Sequence, residues 1–99
     1  MFEALGLTDT EEAVYVALLT GRGSTADEVA GQIGVGDEPA RVAVARLKDL
    51  GFVTHRPGSP ARLTPVPPDL AVSALAARRR HELGEAERTA LHLAAQFPA

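Results

Sequence analysis

Within residues 1–66 the hydrophobic period changes once, from helical to alternating, and glycines punctuate every step before the change. Thr8 stands three residues before Glu11, the pairing of a capping box. Val14, Tyr15, Ala17, Leu18 and Leu19 then fall at helical spacing, and Gly21-Arg22-Gly23 stops this first helix. Ser24 or Thr25 opens a second helix, with Asp27 or Glu28 as reciprocal partner. Its inner stripe is Val29, Ala30 and Ile33, its end is Gly34, and Val35 follows as a buried plug. Asp37 is placed to cap a third helix with Pro39 in its first turn. Ala40, Ala43, Val44, Leu47 and Leu50 recur there at steps of three and four until Gly51. Beyond Gly51, Phe52-Val53-Thr54-His55-Arg56 and Ala61-Arg62-Leu63-Thr64 are β-prone and flank the turn Pro57-Gly58-Ser59-Pro60. A hairpin this short is unstable alone, so it must pack on the helices. The expected fold is mostly α with a small β-hairpin.

Composition narrows the chemistry. The chain has 99 residues, no Cys, no Trp and 4% aromatic residues, so a core of Ala, Val, Leu and Ile is expected, and it carries neither disulfide nor thiolate site. No apolar run approaches a membrane span and Met1-Phe2-Glu3 begins no signal peptide, so a cytoplasmic protein without a membrane partner is expected. His81 and His92 lie about 16 Å apart along a helix, too far to share a metal. A pair such as His81 and Glu85 is ordinary on a helix surface. Ser24, Ser59 and Ser73 have no nearby His and acid, and Gly31-x-x-Gly34-x-Gly36 lacks the Lys-Ser/Thr of a phosphate loop. We expect no catalytic residue, metal or cofactor, and no enzyme.

Three helices followed by a hairpin is the winged helix-turn-helix order. A tight turn at Gly34 joins helices two and three, Ala30 is small where they cross, and helix three can project toward a DNA major groove. The chain resembles the TrmB-like winged-helix domain of transcription regulators. The matching stretches are Leu5-Gly6-Leu7-Thr8, Glu12-Ala13-Val14-Tyr15-Val16-Ala17-Leu18-Leu19, Glu28-Val29-Ala30 with Ile33-Gly34-Val35, and Arg46-Leu47-Lys48-Asp49-Leu50-Gly51-Phe52-Val53. The Pro-rich connector and Ala-rich helix that follow are similar to the amino-terminal region of some LuxR-type bacterial regulators. In those, such a domain precedes a separate carboxy-terminal DNA-binding domain, so this chain reads as part of a longer protein. The resemblance implies binding of double-stranded DNA.

The charge pattern is uneven. Residues 1–40 carry eight acids against Arg22 alone, whereas residues 41–62 carry five bases (Arg41, Arg46, Lys48, Arg56, Arg62) against Asp49. A basic middle third suits a phosphate-facing surface, and it also suits an ordinary solvated helix and hairpin. At 100° per residue, Ala40, Ala43, Val44, Leu47 and Gly51 face the core. Glu38, Val42, Ala45 and Asp49 then face outward, with Arg41 and Lys48 on one flank and Arg46 near the other. The DNA-contacting candidates are therefore Arg41, Val42, Ala45, Arg46 and Lys48 on helix three and Arg56 and Arg62 on the wing. Phosphate contacts from these bases position a protein without reading sequence, and acids at the centre do not favour base readout. The alternative is a winged-helix interaction module that leaves DNA reading to another domain.

Residues 1–66 form one expected unit and residues 67–99 a second, a Pro-rich connector and a long helix from a cap at Asp69 to about Phe97, closed by Pro98. Val72, Ala76, Arg79, Leu83, Ala86, Ala90, Leu93 and Phe97 trace a heptad seam. One small domain cannot cover a rod of about 43 Å, so the same helix of a second copy is the expected partner, in a twofold dimer. The predicted interface is Val72, Ala76, Leu83, Ala86, Ala90, Leu93 and Phe97. Arg79 interrupts the seam and must snorkel or find Glu82 or Glu85. In the other reading the helix folds back on its own winged unit through Leu70, Val72 and Leu75 only.

Overall fold

The computed structural model describes residues 1–58 and 61–98. A 3-10 turn, Glu3–Leu5, precedes α1 (Asp9–Leu19), α2 (Ala26–Ile33) and α3 (Asp37–Leu50). The hairpin strands β1 (Val53–Arg56) and β2 (Arg62–Pro65) follow, then α4 (Pro68–Ala94). This is a winged helix-turn-helix with a long C-terminal helix. The strands are antiparallel, with Val53 opposite Pro65 and Arg56 opposite Arg62. Of the expected turn, Ser59 and Pro60 lie outside the described residues.

Both expected capping boxes form. Thr8 N–H donates to Glu11 Oε1 at 2.9 Å while Glu11 N–H donates to Thr8 Oγ1 at 3.2 Å. At α2 the cap is Thr25 rather than Ser24, and its partner is Glu28 rather than Asp27. The core is not purely aliphatic as the composition suggests, because two of the few aromatic residues, Tyr15 and Phe52, sit at its centre with Leu47, Leu75, Val14 and Val29, all shut from solvent. The Tyr15 and Phe52 rings meet edge-on at 5.1 Å, and the Tyr15 hydroxyl donates to the Val66 carbonyl, tying α1 to the connector before α4.

Several expectations are corrected. Gly36, not Asp37, is the cap of α3. Its extended backbone lets Asp37 begin the helix, where the carboxylate faces the positive helix end without a capping hydrogen bond. Val35 is only half-buried. Gly51 is exposed rather than core, because it takes the left-handed cap conformation (φ +85°) so that Phe52 N–H returns to the Leu47 carbonyl at 2.9 Å. Leu50 fills the core in its place. Helix α4 starts with Pro67 as its cap and Pro68 as its first residue, whose fixed φ suits that place, so Asp69 lies inside the first turn and caps nothing. It ends at Ala94, not Phe97. Pro98 disfavours α backbone in Phe97, and the last turn tightens into three-residue bonds, Gln96 N–H to Leu93 and Phe97 N–H to Ala94.

No local signal in the sequence announces the 3-10 turn at Glu3–Leu5. It lays Phe2 beside Phe52, with ring centroids 6.2 Å apart. The buried Glu12 carboxylate accepts the Phe2 N–H at 3.0 Å and lies 3.0 Å from the terminal ammonium.

Candidate nucleic-acid interface

The outward face of α3 is Glu38, Val42, Ala45 and Asp49, all exposed, with Val42 at 59%. Its two flanks differ. On the wing side, Arg41 and Lys48 line an open cleft of about 350 Å³ with Val44 and Ala45, the start of α2 (Thr25, Ala26, Asp27) and the wing residues Ala61 and Leu63. Arg41 stands 3.7 Å from both Asp27 and Glu38. These pairs are exposed and weakly held, so the guanidinium exchanges partners readily. Lys48 has no carboxylate within ion-pair distance among the described residues.

The opposite flank is committed. Arg46 Nη1 lies 3.2 Å from Glu11 Oε2, and Glu11 is the buried carboxylate that closes the α1 capping box. A cation held there fastens α3 to α1 across a crossing that no local pattern in the sequence announces. The structure thus places Arg46 on Glu11, away from Arg41 and Lys48.

The wing is fixed by the loop before α2. Leu63 N–H donates to the Ser24 carbonyl at 2.7 Å, and Arg62 Nη1 donates to Ser24 Oγ at 2.9 Å. Ser24 in turn donates through its N–H and its hydroxyl to Glu28 Oε1. These donors hold the Glu28 carboxyl below its ordinary pKa, the Ser24 backbone N–H contributing most. Arg56 is exposed directly across the ladder from Arg62. Like charges facing each other across a hairpin cost stability unless an anion joins them.

A family model, described as the sugar-specific transcriptional regulator TrmB, matches residues 2–69. The chain belongs to the TrmB family. No curated protein matches it. Among solved structures, a crystal structure of a MarR family transcription regulator is similar, with a TM-score of 0.59 and 17% identity. The match covers 94% of this chain and 70% of that one. At that identity the likeness concerns the fold. Both findings are families of transcription regulators, not enzymes. In this TrmB-family chain no cluster of metal-ligating side chains occurs among the described residues, and His81 and Glu85 form a surface pair at 3.0 Å. Among the described residues no helix is long and apolar enough to cross a membrane.

The predicted α4 seam divides in two. Val72 and Ala76 are half-buried at the base, where Ala71 and Leu75 are the buried residues. Leu83, Ala86, Ala90 and Leu93 are exposed, and so is Phe97, which lies past the end of the helix. Leu70, expected at the fold-back contact, points to solvent. Arg79 finds Glu82 at 3.7 Å.

Proposed function

We propose that this chain is the winged-helix part of a dimeric cytoplasmic transcription regulator that grips double-stranded DNA by its phosphates. Residues 1–66 face the DNA and residues 67–99 pair the copies. The observation that carries this reading is the convergence of Arg41 and Lys48 on one cleft beside the wing. Arg56 and Arg62 add a second pair of bases on the hairpin, opposite each other across the ladder, and their cross-strand repulsion is relieved when a phosphate joins them. The acids at the outward centre of α3 disfavour base reading, so the grip is positional and its sequence selectivity low.

Fluorescence anisotropy on duplex DNA over a salt series tests it. Binding weakens steeply with salt, and Arg41→Ala, Lys48→Ala and Arg56→Ala each lower the slope of log K against log salt by about 1. Arg46→Ala, whose guanidinium sits on Glu11, leaves the slope unchanged. Absence of binding even at low salt overturns the reading. It would favour the second one, an interaction module, for which the exposed Val42 and Ala45 between Glu38 and Asp49 supply the contact face.

A further inference from the structure

Beyond Leu75, α4 buries nothing among the described residues, and the seam leucines Leu83 and Leu93 are 64% and 59% exposed. We propose that this face is covered by α4 of a second copy running antiparallel, in a register that sets Leu83 against Ala86, Arg79 against Ala90 and Ala76 against Leu93 of that copy. The proposal rests on the dimer reading above and adds orientation and register to it.

Side-chain size is the first argument. Along the seam from Ala76 the order is Ala76, Arg79, Leu83, Ala86, Ala90, Leu93. Reversed and laid on itself, this order puts one large and one small side chain in every layer, the condition for filling a seam without voids or overlap. Parallel pairing instead sets Ala on Ala in three layers, Leu on Leu in two, and Arg79 on Arg79. Slipping the antiparallel pair by one heptad sets Leu83 against Arg79 in one direction and Leu83 against Leu93 in the other. Both slips also set Ala on Ala, so the proposed register alone is complementary throughout.

Charge is the second, and it is independent of size. Within one chain Arg78 and Arg79 pair with Glu82, and His81 pairs with Glu85. Arg80 and Glu87 have no such partner among the described residues. In the antiparallel register these two flanking residues face each other across the interface, twice by symmetry. In the parallel arrangement Glu87 faces Glu82, and like charges meet.

Because the chain has no Cys, cross-linking reads the orientation directly. Ala76→Cys and Leu93→Cys variants, mixed and oxidised, give the mixed 76–93 disulfide dimer. Predominant 76–76 and 93–93 dimers overturn the proposal while leaving the dimer itself standing. Sedimentation equilibrium of the unmodified chain separates the two failures, since a monomer at every concentration sinks the dimer reading as well. Glu87→Arg raises the dimer dissociation constant about tenfold, and the Arg80→Glu/Glu87→Arg double variant restores it. Tighter dimerisation by Glu87→Arg indicates parallel helices and overturns the proposal.

Discussion

Tyr15 joins three parts of the molecule through one side chain. Its ring packs on Phe52 at the entry to the wing, and its hydroxyl bonds to Val66 just before α4. Loss of water around the phenol raises its pKa above the ordinary 10.0, and the negative charge of Asp69 adds to the effect. The folded chain therefore holds this proton more tightly than the unfolded chain. Its contribution to stability is complete below the unfolded pKa of about 10 and is lost as pH rises through the folded value. Denaturant titrations between about pH 8 and 11 should show stability falling in the parent and a flatter profile in Tyr15→Phe. At neutral pH that variant should be about 1 kcal/mol less stable, the usual worth of one hydrogen bond. Tyr15 is the only tyrosine, so phenolate absorbance follows the ionisation without ambiguity.

At the scale of elements, the turn between α2 and α3 sets how α3 is presented. Gly34 lies at φ +72° with its N–H on the Ala30 carbonyl, and a Cβ built there meets nothing within 4 Å. The cost of Gly34→Ala is thus conformational alone, about 1 kcal/mol, and a thermal melt should fall by ~4–8 °C with the helix content unchanged. This turn was legible from the sequence because a glycine after an apolar stripe is a local signal. The Thr8–Glu11 and Thr25–Glu28 boxes were legible for the same reason, each closing within three residues. The start of α3 is ambiguous in the sequence because Asp37 and Gly36 are both acceptable caps, and backbone geometry decides between them. What escaped the sequence spans long separations. Arg46 meets Glu11 and Arg62 meets Ser24 only because α3 crosses α1 and the wing folds against the loop before α2. Periodicity gives the flanks of α3, but it does not say which flanking base is already occupied.

For the whole molecule, the contrast lies between a packed head and a bare rod. The molecule measures 58 × 27 × 25 Å, and its long dimension follows from α4, of which the winged unit covers only the base. A chain ending after His81 keeps every residue that is buried among the described ones. Differential scanning calorimetry should find its melting temperature independent of protein concentration, whereas for the dimer proposed above that of the full chain should rise with concentration by mass action. The seat of the rod has a mechanical corollary. Ala71 and Leu75 are its buried pegs, and about 28 Å of regular helix extend past the second. A tilt of about 10° at that pivot sweeps the far end through about 5 Å. α4 is thus a pointer on a short bearing, and an adjustment too slight to disturb the packing around Tyr15 is magnified at its tip.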